Sequence, residues 1–327
     1  MTFEFTTKPG FNFLTSFSEQ FGVPVTGDRL DIPEEMGSGS IRKVDINEHF
    51  KLLIHHYTFK EEFVLRRKAP EEITDLITII FYSSTLPNNQ LSNREKSFTC
   101  TKINSSSIEV SSNDLNSEIR FPADREIHFT VVGIKAALLA ELLSLDEPSQ
   151  LIRTVTNGSS TFLYHVAMSQ DFEKTLRVIA DNDKMSALKK MFYKVKVQEL
   201  FYMLFDKLLK RDYKTECSLN NLDVSRLMVV RDFLLANLSE PPHLRDMAKL
   251  AHMSETKLKM LFRQVFGDSI YNYYQTARMN EAATMLKHSR VPVSEVGYQL
   301  GFSNLSHFSR LFAKHHGQTP KKFQSVG

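Results

Sequence analysis

Near its C-terminus the chain carries one short pattern twice, and the side chains left over from its apolar positions are ones that bond to base edges and phosphates. The copies are Met247–Gly267, MAKLAHMSETKLKMLFRQVFG, and Val296–Gly317, VGYQLGFSNLSHFSRLFAKHHG. Ala248 aligns with Gly297, His252 with Gly301, Met253 with Phe302, Ser254 with Ser303, Phe262 with Phe312 and Gly267 with Gly317, which places one extra residue inside the second helix of the later copy. Helical spacing buries Leu258, Leu261, Phe262 and Val265 in one copy and Phe308, Leu311 and Phe312 in the other. Thr256, Lys257, Lys259, Met260 and Arg263 then point outward in the first, and Leu305, Ser306, Ser309 and Arg310 in the second, with Ser254, Ser303 and Asn304 at the helix starts completing the candidate set. Arginine and lysine suit guanine O6 and N7, serine and threonine serve either partner, and Met260 or Leu305 suits a thymine methyl.

These side chains need elements to aim them. Each copy opens with a short helix whose small residue, Ala248 or Gly297, lets a second helix cross closely. A tight turn follows at His252 or Gly301, where a left-handed backbone is easiest for glycine. Ser254 and Ser303 stand where an N-cap oxygen accepts from free amides. A long helix over roughly Ser269–Lys287 would fix the distance between the copies. Thr319-Pro320 reads as an N-cap followed by proline at the first helical position, so a short last helix would present Lys321 and Lys322 to a phosphate. This is the grammar of a tandem helix-turn-helix.

The remainder bounds the rest of the molecule. At 327 residues, two or three domains are expected. With 42% hydrophobic and 24% charged residues, no signal-peptide pattern at the N-terminus and no apolar run long enough to span a bilayer, the sequence predicts a cytoplasmic protein that is not in a membrane. Charge is unevenly divided: residues 222–327 hold 14 Lys/Arg against 8 Asp/Glu, and residues 1–221 hold 27 against 30. Six of the 11 histidines, among them His315 and His316, also lie in the C-terminal part and would gain charge beside phosphates. Cys100 and Cys217 are too far apart for a zinc-finger pattern and read as lone thiols. From about Ile41 to Leu142, segments such as IRKVDI, FKLLIHHYTF, ITIIFYSS, FTCTKI, SIEVSS, EIRFP and IHFTVVGI read as short strands of a sandwich or small barrel. KAALLAELLSL then turns helical, and Leu188, Met191, Phe192, Val195, Leu200, Phe201, Leu204 and Leu208 form an amphipathic stripe that either packs on its own domain or makes a dimer seam. Tyr213–Asn221 reads as a linker.

The string from Arg278, ARMNEAATML, through VSEVGYQLGFSNLSHFSRLFAKHHGQTPKKF, with the earlier copy upstream, resembles the DNA-binding domain of AraC/XylS-type regulators over Asp223–Gln324. The resemblance implies seven helices, two recognition helices entering successive major grooves, and duplex DNA as partner. It further implies a small-molecule effector, RNA polymerase and a second copy of the chain as partners, with no cofactor and no enzymatic activity. Met260 departs from the arginine frequent there, and His252 from the glycine; Arg278 and Glu295 read as an ion pair within the domain. The expected class is therefore α+β. Residues 1–165 form a β-rich, cupin-like sensor, 166–212 a helical dimerisation segment, 213–221 a linker, and 222–327 an all-α domain with two helix-turn-helix motifs. GSGSIR at Gly37–Arg42 reads as a flexible turn, since no Lys-Ser/Thr follows to make a phosphate cradle. His49, His55 and His56 raise a competing reading, a cupin-type metal-dependent enzyme fused to a DNA-binding tail. The cupin H-x-H pattern is missing, so no metal ligand is assigned.

Overall fold

The computed structural model describes residues 1–8, 10–72, 74–83, 99–100, 106–182, 187–211, 218–288 and 291–326. Two compact units divide at Ser225/Arg226. The N-terminal unit contains β1 Thr2–Thr6, α1 Phe13–Phe21, β2 Val25–Thr26, β3 Arg29–Asp31, β4 Gly37–Asn47, β5 Phe50–Phe59, β6 Phe63–Lys68, β7 Leu76–Ser83, β8 Thr99–Cys100, β9 Ser107–Ser112, β10 Ser117–Phe121 and β11 Glu126–Lys135. It continues with α2 Ala136–Leu143, α3 Gln150–Thr156, β12 Leu163–Ala167, α4 Gln170–Asp181 and α5 Lys189–Leu209, and α6 Asn221–Ala236 crosses the division. The reading of Cys217 and of linker residues 213–217 lies outside the described residues, as does the side chain of Cys100.

One sheet has eight strands in the order β12-β9-β7-β11-β5-β4-β3-β2, all antiparallel, and the other four in the order β1-β6-β10-β8. Among the described residues both sheets are open, so the strands make a sandwich and no closed barrel. Strand alternation sorts β5 between two cores. Leu52 and Ile54 face Leu200, Leu204 and Leu208 of α5, whereas Tyr57 and Phe59 join Phe63, Leu65 and Ile119 between the sheets. Because helices cover one face and a second sheet the other, FKLLIHHYTF reads as a nearly continuous apolar run.

Two expectations are corrected here. Gly37–Arg42 is the start of β4 in register with β5, Gly37 opposite Phe59 and Gly39 opposite Tyr57, and is no flexible turn. The glycines are there for closeness: a Cβ on Gly37 would lie 1.9 Å from the Thr58 carbonyl oxygen, and one on Gly39, at φ +102°, 2.3 Å from that of His56. The amphipathic stripe also divides. Leu200, Phe201, Leu204 and Leu208 are buried in their own unit, but Leu188, Met191 and Val195 are exposed and fall in line with exposed Tyr202 and Leu209 at steps of three, four and seven residues.

In the C-terminal unit α6 is followed by α7 Leu244–Leu250, α8 Glu255–Phe266, α9 Ile270–His288, α10 Val293–Gln299, α11 Leu305–His316 and α12 Pro320–Val326, seven helices among the described residues. Met279, Ala282 and Leu286 of α9 pack with Val296, Leu300, Phe302, Phe308 and Phe312 in one core. No described helix is long and apolar enough to cross a membrane.

Candidate nucleic-acid interface

The pairs α7–α8 and α10–α11 fold through the same turn, bond for bond, up to its last residue. Met253 N–H donates to the Ala248 carbonyl at 3.0 Å and Phe302 N–H to that of Gly297 at 2.9 Å; His252 N–H reaches Lys249 at 3.0 Å and Gly301 N–H reaches Tyr298 at 2.8 Å. His252 adopts φ +49° and Gly301 φ +76°. Only the second has no room for a side chain, since a Cβ there would lie 1.8 Å from the Ser239 carbonyl oxygen. Gly297 likewise faces Leu305 Cδ2 and Phe308 Cδ1, 2.7 and 3.3 Å from a notional Cβ, so the close helix crossing explains the small residue.

The copies diverge at the cap, and the expected position of the extra residue is corrected. Ser254 caps α8, its hydroxyl accepting from Lys257 N–H at 3.2 Å. In the second copy Asn304, not Ser303, caps α11, its side-chain oxygen accepting from His307 N–H at 3.0 Å. Both recognition-type helices have 12 residues, and the insertion is Ser303 in the turn. Asparagine caps as well as serine does, so the turn lengthens without losing the cap bond. Thr256 therefore aligns with Ser306, Lys259 with Ser309, Met260 with Arg310 and Arg263 with Ala313.

Leu258, Leu261, Phe262 and Val265 are fully buried, as are Phe308 and Phe312, while Leu311 is half-buried. Thr256, Lys259, Met260 and Arg263 form one exposed stripe on α8, and Lys257 is half-buried beside it. On α11, Ser306 and Arg310 are exposed, Ser309 is half-exposed, and Leu305 turns partly back onto Gly297. Ser254, Ser303 and Asn304 are exposed at the turns, Lys321 and Lys322 are exposed on α12, and Thr319 Oγ1 accepts from Lys322 N–H at 3.4 Å. His307, exposed next to Ser306, was missed by the sequence reading because the misplaced insertion hid its equivalence to Lys257.

Two polar residues depart from expectation. Arg278 is 3% exposed and has no carboxylate partner among the described residues; it donates to the Leu300 carbonyl and to Gln275 Oε1 and lies 3.7 Å over the Phe302 ring. Glu295 instead accepts from Gln299. Holding the Leu300 carbonyl and the Phe302 ring, Arg278 fixes the second turn, which an ion pair with Glu295 would not do. In the chain alone, desolvation holds His315 below the ordinary histidine value, with the charges of His316 and Lys314 adding to the effect.

The N-terminal unit contains a second candidate site, a cavity of about 480 Å³ between the sheets. Phe5, Phe11, Leu53, Ile80, Phe129 and Val131 line it, with Lys8, Lys43, Lys51, Lys135 and Arg67 as cationic groups. His55 faces the cavity fully buried, and neither ring nitrogen has a hydrogen-bond partner; burial brings its pKa down to about 3. Arg67, 5% exposed, donates to Thr78 Oγ1 at 2.9 Å and the Leu115 carbonyl at 3.2 Å, but its Nε is unpartnered. Buried polar atoms left bare are costly.

Against known proteins, the family described as helix-turn-helix domain matches residues 247–325. Curated relatives include an uncharacterized HTH-type transcriptional regulator, YfiF, of Bacillus subtilis (34% identity over 90 residues, 28% of each chain). The arabinose operon regulatory protein of Escherichia coli K12 is 34% identical over 83 residues, 24% of this chain and 28% of that one. The transcriptional activator RhaR of the same strain is 32% identical over 93 residues, 28% of this chain and 33% of that one. The match thus spans about a third or less of the curated relatives' length. A solved AraC-type regulator from Chromobacterium violaceum is 29% identical, covering 31% of this chain and 89% of that one, at a TM-score of 0.30. The C-terminal unit is a tandem helix-turn-helix domain. Over that unit alone the chain is similar to these transcription regulators.

Proposed function

We propose that the protein is a sequence-specific transcription regulator that binds duplex DNA through α8 and α11 in successive major grooves. The observation that carries this reading is the pair of exposed stripes at equivalent positions, Thr256, Lys259, Met260 and Arg263 on one helix and Ser306, Ser309 and Arg310 on the other. Lys321 and Lys322 are assigned to phosphates. Fluorescence polarisation with duplexes from its own locus should give sub-micromolar binding that weakens steeply with salt, and salt-independent or absent binding refutes the proposal. Arg310→Ala should cost about 1–3 kcal/mol and relax preference at one base position, whereas Lys321→Ala should weaken all sequences alike. Equal effects of both on every sequence remove Arg310 from the readers.

The N-terminal unit is assigned the regulatory role. Its cavity suits a small molecule that is largely apolar and carries an acceptor or anionic group, given the unpartnered His55 and Arg67 nitrogens and the lysines around them. The exposed apolar line on α5 suits a second copy of the chain, because steps of three, four and seven residues are those of a helix–helix seam. RNA polymerase is the partner a transcription activator would contact.

A further inference from the structure

On the eight-stranded sheet, on the face opposite the cavity, three side chains meet that the proposed function does not use. His56 of β5 and His128 of β11 are paired directly across the strands, and Glu126 lies two residues before His128 on the same side of β11. The imidazole rings stack with centroids 3.8 Å apart, and both Nε2 atoms reach the same oxygen, Glu126 Oε1, at 2.9 and 3.1 Å. All three are open to solvent, with side-chain exposures of 51% for His56, 57% for Glu126 and 30% for His128.

We propose that His56, His128 and Glu126 form a binding site for a divalent first-row transition-metal ion, which ties β5 to β11. Two imidazoles and one carboxylate are a borderline donor set that favours zinc, copper, nickel or cobalt over magnesium and calcium. Ligand bonds of about 2.0–2.1 Å put neighbouring donor atoms roughly 3.0–3.4 Å apart, so the observed spacing needs only small side-chain rotations to admit an ion. The strands supplying the donors pair over Glu126–Ile134 without a register break, so little ordering is needed. Binding moves the Nε2 protons of the neutral rings to Nδ1 or to water and frees both nitrogens as ligands. With three protein ligands on an open surface, further positions remain for water or a fourth group. The sequence reading set His56 beside His49 and His55, but strand alternation turns His55 to the opposite face, and the true neighbour lies 72 residues away.

The inference stands independently of DNA binding, and its test uses the full chain stripped with chelator. Calorimetric titration with zinc should show one site that His56→Ala/His128→Ala loses, with affinity down about 100-fold or more, beyond the 10–100-fold typical of an outer-shell partner. Bound cobalt should give a visible d–d spectrum that the same variant abolishes, and saturating zinc should raise the thermal midpoint of the wild type only. Circular dichroism of the variant in chelator checks its fold, and Glu126→Gln, which keeps the shape and an acceptor, gives an independent reading with weaker binding. Equal zinc affinity, stoichiometry and cobalt spectrum in the wild type and both variants overturn the proposal, as does equally tight binding of magnesium.

Discussion

Replacing Gly301 by alanine isolates what the second turn demands of its backbone. Gly301 has φ +76°, and an added Cβ would meet three backbone atoms of Ser239, the nearest 1.8 Å away. Gly317 is the control, with φ +72° and nothing within 4 Å. Alanine in the left-handed region costs about 1–2 kcal/mol, offset in part by the stiffer unfolded chain, so Gly317→Ala should lose about 1 kcal/mol. At Gly301 the same cost is joined by a clash that backbone must relieve. Either the Arg278 bond to the Leu300 carbonyl gives way, or Ser239 moves against its own 3.1 Å bond to Asn237 and the neighbouring 3.0 Å bond from Tyr274 to the Leu238 carbonyl. At about 1 kcal/mol for each neutral bond and about 2–3 for the charged Arg278 bond, either route adds about 2–3 kcal/mol to the strain, so Gly301→Ala should cost about 3–4 kcal/mol, a midpoint drop of roughly 15 °C for a unit of this size. Calorimetry of the full chain measures the drop, and hydrogen exchange at α10 and α11 localises it. A loss within about 1 kcal/mol of that from Gly317→Ala refutes the steric argument.

Three other outcomes follow from the same geometry. His55 has a folded pKa of about 3 against 6.5 when unfolded, so the unfolded state takes up its proton first and stability falls as pH drops from 6.5 toward 3; His55→Phe should remove up to about 1.4 kcal/mol per pH unit of that slope, and an unchanged difference in denaturant midpoints between pH 6.5 and 4.5 counts against it. Met191→Glu, at 62% exposure, should leave the monomer's unfolding free energy within about 0.5 kcal/mol of wild type yet shift a dimer toward monomer in light scattering, and an unchanged mass removes α5 as the seam. Met260→Arg should tighten binding to duplex DNA and steepen its salt dependence by about 0.9 in logarithmic slope if the new cation reaches one phosphate, and unchanged affinity on all duplexes takes that position off the interface.

The C-terminal unit was legible because its information is local. Small residue, turn, cap and apolar spacing lie within about twenty residues of one another, and the copy confirms each feature. Two readings failed there: the Arg278–Glu295 ion pair, and the cap, since Ser303 looked like a cap because Ser254 is one and only the bond from His307 N–H to Asn304 identifies the true first turn. The N-terminal unit depends on pairings between distant segments. β1 and β6, VLRR included, were missed because one lies at the chain start and the other is rich in charge, although Thr2–Thr6 pairs in parallel with Val64–Lys68. β5 could not be assigned faces while its two flanking layers were unknown. That uncertainty also concealed both the cavity, with His55, and the His56–His128 pair.

Aligned by their caps, α8 and α11 are chemically unlike. α8 sets Thr256, Lys259, Met260 and Arg263 in one stripe, so a thioether is flanked by two cations; α11 sets Ser306, Ser309, Arg310 and Ala313 in the same places, a single cation among small groups. Arginine at a stripe centre can select guanine by two bonds, whereas methionine can offer only apolar contact. Under the proposed function these unlike stripes predict base discrimination chiefly from α11 and affinity chiefly from α8. His252, paying for a left-handed turn that glycine supplies freely at Gly301, belongs to the same less constrained half, because no backbone approaches it as Ser239 approaches Gly301.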